Sequence, residues 1–206
     1  METKIVNPEA IKTLISKDSV FFEINNRYGA PPNWEREPGF ESLSKIILGQ
    51  QLSLASAKAH FIKLKNYISI FNPQNILSLT DSEMRDCQIS RQKASYLRAL
   101  AKAVVDGELI PESLGKLEEE EIREQLTSVK GIGNWTAEVY MLFCLQLKDI
   151  FPVTDIAIIH TMRELYGVSS REEIVAISDN WRPFRSLSTY YLWHFYLNKR
   201  GRSGDF

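Results

Sequence analysis

Apolar residues recur at helical spacing along nearly the whole chain, and no stretch alternates with period two over a useful length. An all-α protein follows. The spacing predicts helices over about 8–16, 40–48, 53–68, 73–78, 81–86, 90–106, 111–115, 119–128, 134–146, 155–166, 171–179 and 183–198. Several ends carry their own chemistry. Ser53 stands as an N-cap before "LASAKAHF", Ser170 with Glu173 spells a capping box, Gly167 suits a helix C-terminus, and Pro183 suits a first helical position. Pro31 and Pro32 mark an irregular connection, and the tail 198–206 is expected to fray. There is no internal repeat or low-complexity tract.

With 206 residues, 44% of them hydrophobic, the chain can bury a core as one domain or as two small subdomains. The apolar runs are short, and "METKIVNPEA" has no apolar segment behind a basic start, so neither a membrane span nor a secretory signal is visible. An intracellular setting is expected: cytoplasm or nucleoid in a bacterium or archaeon, nucleus in a eukaryote. Cys87 and Cys144 are too few for a disulfide framework and have no Cys or His at ligand spacing, which argues against structural zinc and against an iron–sulfur cluster. The 25 basic and 26 acidic residues give no global attraction to a polyanion, so any nucleic-acid affinity must be local. Candidate positive charge lies at Lys58, Lys63, Lys65, Arg91, Lys93, Lys130 and the tail Lys199-Arg200-Gly201-Arg202. The acidic run Glu118–Glu121 reads as the solvated first turn of a helix.

The stretch "LTSVKGIGNWTAE", residues 126–138, places Gly131 and Gly133 one residue apart between two predicted helices. Glycine permits positive φ and close approach of an outside group, Ile132 can anchor the turn, and Asn134 can cap a helix running from Trp135. Amides at the start of that helix can bind a phosphate, with Lys130 adding charge. An ordinary αα-hairpin is the alternative. "ILGQQLS" interrupts an apolar pattern at Gln50 and Gln51, which implies a loop; plain surface loop residues are the alternative reading of both glutamines. Asp155 precedes "IAIIHTMREL" and suits a plain helix N-cap, while Trp193 in "YYLWHFY" suits core.

Taken together, "LTSVKGIGNWTAE", "FPVTDIAI", "ILGQQLSLASA" and "WRPFRSLSTYYLW" form four ordered blocks across roughly residues 40 to 197. This pattern resembles the helix-hairpin-helix DNA glycosylases of base-excision repair, and within them the 3-methyladenine DNA glycosylase II (AlkA-type) branch. The resemblance implies two helical subdomains with the active-site cleft between them. A central lobe of about 45–140 would hold the hairpin, and residues 1–44 with 141–206 would form the other lobe of a single 1–206 glycosylase domain. It looks like a compact form without the N-terminal β-domain of some members.

By the same resemblance Asp155 is the catalytic carboxylate, stabilising an oxocarbenium-like sugar and assisting water. Trp135 and Trp193 fall on base-pocket positions, where aromatic faces suit a cationic alkylated purine. Two further aromatic positions of the family are Val139 and Ile156 here. Gln51 stands where relatives insert leucine into the gap left by the flipped nucleotide, with Gln50 beside it. Gly131, Gly133, Asn134 and Lys130 would hold the DNA backbone. The carbonyls of Thr127, Val129 and Ile132 stand where the family binds a structural Na+ or K+.

Members that cut the strand carry a Schiff-base lysine two positions after the last hairpin glycine, where this chain has Trp135. The implied protein is therefore a monofunctional glycosylase, and a monomer is expected. It would excise 3-methyladenine or 7-methylguanine from damaged double-stranded DNA, leave an abasic site, and need no cofactor, iron–sulfur cluster or membrane. The rival readings are a non-catalytic helix-hairpin-helix DNA-binding module and a glycosylase for other damaged or mismatched bases.

Overall fold

Short polar residues set the helix starts, and the helices follow closely. The structure, a computed structural model, describes residues 4–202. Its α-helices are α1 Pro8–Lys17, α2 Ser19–Tyr28, α3 Phe40–Gly49, α4 Leu54–Tyr67, α5 Pro73–Ser78, α6 Asp81–Asp86 and α7 Arg91–Val105. A 3-10 turn over Pro111–Lys116 precedes α8 Glu119–Thr127, α9 Asn134–Phe143, α10 Ile156–Tyr166, α11 Arg171–Asp179 and α12 Arg185–Lys199. No strand occurs among the described residues, so the all-α expectation holds. Among them, too, no helix is long and apolar enough to cross a membrane.

Three of the predicted helix-end signals are present, while Asn134, read as a cap, is itself the first residue of its helix. Ser53 Oγ accepts the Ser56 amide at 3.2 Å, Ser170 and Glu173 form their capping box, and Gly167 closes α10 at φ +69°. Glu121 reaches back to the Glu118 amide at 3.0 Å, tying down the acidic first turn of α8.

Three differences have local causes. Helix α2 is absent from the sequence-based expectation, because Phe22, half exposed, blurs the buried pair Phe21 and Ile24 into an unpatterned run. Its start is nonetheless chemical: Asp18 Oδ1 accepts the Val20 amide at 2.9 Å. Helix α9 stops at Phe143 rather than near 146, since Gln146 takes φ +52° and the Leu147 amide turns back to the Met141 carbonyl at 3.1 Å. Pro183 lies outside α12, in a turn where the Phe184 amide donates to the Trp181 carbonyl at 2.8 Å. Of the tail, residues 203–206 lie outside the described residues.

The chain divides into two units. One comprises the described residues through Glu35 together with those from Met141 onward, and the other runs from Arg36 to Tyr140. In the first, α1, α2 and α10 pack against α12, whose residues Ser186 to Leu192 are all buried. Its core is aromatic: Trp181 meets Phe21 edge-on with ring centroids 5.0 Å apart and also contacts Phe151 and Tyr166. Removing such a ring from a filled core typically costs about 3–5 kcal/mol. Asp18 serves this core as well as α2, because its Oδ2 accepts both Tyr166 OH and Trp181 Nε1 at 2.9 Å. In the second unit α7 is central: α3, α5 and α6 pack on it, and α4 packs on α3. Leu43, Ile47, Leu64, Ile76, Leu97 and Leu100 fill that core.

Candidate active site and nucleic-acid interface

The turn between α8 and α9 is built by backbone bonds. The Val129 amide donates to Leu126 O at 3.2 Å, the Ile132 amide to Val129 O at 3.0 Å, and the Ala137 amide to Gly133 O at 3.0 Å. Asn134 is therefore the first residue of α9, with Gly133 just outside it. Val129 and Ile132 are buried and pin the turn, while Lys130, Gly133 and Asn134 are exposed.

The two glycines do different jobs. Gly131 has φ +95°, and a Cβ built there would lie 2.2 Å from the Tyr96 ring of α7, so both conformation and space demand glycine. Among the described residues, a Cβ at Gly133 would meet nothing within 4 Å. The surface at Gly133 is open to an outside group, at the positive end of α9, where the first amides of a helix have no acceptor within it.

The loop after α3 is fastened to this turn. Gln50 Nε2 donates to Gly131 O at 2.8 Å and to Thr136 Oγ1 at 2.9 Å. Its neighbour Gln51 is exposed and has φ +57°, a left-handed conformation that few residues other than glycine adopt. The plain reading of Gln50 as a surface loop residue is thus replaced by a tether, which no local pattern in the sequence announces.

In the other unit Asp155 takes the helix N-cap position that its plain reading expects. It N-caps α10, with Oδ1 accepting the Ile158 amide at 3.0 Å, and the same oxygen accepts Trp193 Nε1 from α12 at 3.2 Å. Both side chains are partly exposed. Trp193 packs in an aromatic group that sequence reading missed: Phe143 at 5.5 Å, Tyr190 at 6.2 Å and Trp34 at 6.3 Å between ring centroids. Trp34 lies two residues after the Pro31-Pro32 pair, and only the fold brings it to α12. Trp135, in the first turn of α9, is half-buried. Val139 is only 4% exposed and belongs to the core, whereas Ile156, next to Asp155, is 69% exposed.

Of the candidate cations, Lys65 is paired with Glu41 at 2.9 Å. Lys93 turns inward and donates to the Leu48 carbonyl, with burial pushing its ammonium below the usual lysine range. Among the described residues no group of three or more His, Cys, Asp or Glu side chains is placed to hold a metal ion.

A wholly helical fold, a glycine hairpin with an open helix N-terminus and a capped, half-open aspartate together define a class. The chain belongs to the HhH-GPD superfamily of base excision DNA repair proteins, whose family model matches residues 44–184. Among its relatives is the DNA-3-methyladenine glycosylase of Bacillus subtilis, 32% identical over 75% of this chain and 56% of that protein. DNA-3-methyladenine glycosylase 1 of Schizosaccharomyces pombe is also 32% identical, over 77% of this chain and 73% of its own length. The chain thus spans little more than half of the first relative and about three quarters of the second. In three dimensions it is similar to the S. pombe 3-methyladenine DNA glycosylase Mag1 in complex with abasic DNA. That match has a TM-score of 0.83 and 29% identity, covering 90% of this chain and 95% of the other.

Proposed function

We propose that the protein is a monofunctional DNA glycosylase of base-excision repair that excises alkylated purines of the 3-methyladenine and 7-methylguanine type from duplex DNA. The observation that carries this reading is Asp155: a carboxylate oriented by a helix N-terminus and an indole N–H, half open to an outside molecule. The names of its relatives supply the substrate class.

The chemistry is a hydrolysis. A methylated purine carries positive charge and leaves with the electron pair of its N-glycosidic bond as a neutral base. The sugar becomes oxocarbenium-like, and a carboxylate beside it stabilises that charge. Water then adds to the anomeric carbon and loses its proton, leaving an abasic site. The Ile158 amide and Trp193 Nε1 both donate to Oδ1, holding the carboxylate in one orientation.

Trp193 and Trp135 are assigned to stacking against the extruded base. Gly133, Asn134 and Lys130 are assigned to the phosphate backbone, Gly131 to the turn that presents them, and Gln51 to the gap left in the duplex. The carbonyls of Thr127, Val129 and Ile132 are neutral oxygen donors that suit a monovalent cation. Val129 O already accepts the Ile132 amide and keeps one lone pair for an ion. Such an ion would stiffen the turn and add positive charge near the phosphate.

Incubation with methylated duplex DNA tests the reading. Free 3-methyladenine, with strand breaks only after a later alkaline step, is expected. DNA binding without base release would instead mark a non-catalytic helix-hairpin-helix module, and breaks without alkali would mark a lyase.

A further inference from the structure

We infer that Gln50 is a positioning residue: it locks the loop after α3 to the hairpin, so that Gln51 is held at a fixed offset from the amides that open α9. The inference rests on the assignment of Gln51 to the gap left by a flipped nucleotide.

A primary amide has two N–H bonds, and Gln50 spends both on the hairpin. One goes to Gly131 O in the turn, and the other to Thr136 Oγ1 in the first turns of α9. Thr136 is 2% exposed, so its hydroxyl is a fixed partner. A second anchor lies just before the loop, where Lys93 of α7 donates to the Leu48 carbonyl in the last turn of α3. One helical turn further along the same face of α7, the Tyr96 ring supports Gly131. A single face of α7 therefore carries both the loop and the hairpin, and Gln50 ties the two together.

Directly after these anchors, in the turn that the Leu52 amide closes on the Gly49 carbonyl at 3.3 Å, Gln51 is kept left-handed, a conformation that a non-glycine residue holds only when its surroundings over-determine it. A loop that merely joined α3 to α4 would need none of these anchors. One that must enter a duplex at a set distance from a phosphate contact needs them all, because a side chain free to swing loses gap-filling energy to conformational entropy.

The test compares affinities of the full chain for a duplex with a tetrahydrofuran abasic analogue and for the same duplex undamaged. The variants are Gln51→Ala, Gln50→Glu and the double variant, assayed where circular dichroism shows each folded. Gln50→Glu keeps size but cannot donate to Gly131 O; Thr136→Val, which removes one partner, carries the same test if the glutamate variant does not fold. Gln51→Ala is expected to lower the preference for abasic DNA about tenfold. Gln50→Glu should lower it by a similar factor, with no further loss in the double variant, because coupled residues are not additive. The readout is the ratio of the two affinities, so a loss common to both duplexes, as from a loosened loop or from the glutamate's charge near a phosphate, leaves it unchanged. If Gln51→Ala loses the preference and Gln50→Glu keeps it, the positioning role is overturned while the reading of Gln51 stands. If Gln51→Ala keeps the preference, the gap-filling assignment itself fails and the inference falls with it.

Discussion

Trp193 donates its indole N–H to the same Asp155 oxygen that caps α10, at 3.2 Å, so one carboxylate oxygen is held by two helices of one unit. This relationship gives Trp193 an orienting contact with Asp155 apart from the stacking proposed for it. Trp193→Phe keeps a ring among Trp34, Phe143 and Tyr190 but removes the donor. Loss of one charge-assisted hydrogen bond of this kind is expected to slow base excision about tenfold, with a smaller change in binding to abasic DNA. Single-turnover excision rates alongside binding constants check this. An unchanged rate would remove the indole from the orientation of Asp155.

Gly131 and Gly133 should respond oppositely to alanine. At Gly131 the methyl group meets the Tyr96 ring and the backbone is left-handed, so Gly131→Ala should destabilise the fold by about 3 kcal/mol. At Gly133 nothing among the described residues opposes a methyl group, so Gly133→Ala should leave the melting temperature nearly unchanged and weaken DNA binding. Denaturant melts and duplex affinities of the two variants, measured side by side, decide it.

Asp18 joins the start of α2 to the aromatic core, accepting Val20 N–H, Tyr166 OH and Trp181 Nε1. In Asp18→Asn the amide N–H2 faces two donors. A loss of about 2 kcal/mol in chemical denaturation is expected, without a direct effect on the excision step.

Stability should fall at both pH extremes. The carboxyls of Glu83 and Glu173 are held below the ordinary 4.5 by amide and hydroxyl donors in their capping boxes. At Glu41 burial acts upward, but Lys65 and Lys45 together outweigh it and bring the carboxyl below 4.5. Such groups stabilise the fold fully above 4.5, and that stability drains away as pH falls through their lowered values. On the alkaline side, burial pushes the Tyr191 hydroxyl up to about 12. Tyr166 is pushed up as well, by burial and then by the Asp18 carboxylate. Above the ordinary 10.0 the unfolded chain releases protons that the fold retains, so stability declines from there upward. Melting temperatures across pH, with tyrosinate absorbance followed in parallel, check both limbs.

The lyase question has its own test. Trp135→Lys supplies an amine at the position where strand-cutting members carry one, but not the tuned pKa or approach that imine formation requires. No efficient borohydride-trapped adduct with abasic DNA is expected. Robust trapping would show that the residue type alone withholds lyase chemistry.

The sequence made local features legible and left long-range ones hidden. Ser53, Ser170 with Glu173, and Gly167 act through neighbours a few residues away, so their caps could be read directly. The paired glycines likewise announced a turn. That Gly131 is required because of Tyr96, and that Gln50 reaches Thr136, depends on packing that no periodicity encodes. Asp155 reads locally as a cap; its bond to Trp193 exists only because α10 and α12 pack together. Helix α2 was missed because Phe22 faces outward and obscures the apolar stripe.

Asp155 carries the proposed chemistry, and one measurement addresses it: single-turnover release of 3-methyladenine from methylated duplex by the unaltered chain and by Asp155→Asn, with abasic-DNA binding followed in parallel. Asparagine keeps an oxygen for the Ile158 amide and so spares the cap. Release is expected to slow by about 100-fold or more while abasic binding persists. Equal release by the two proteins would contradict the assignment.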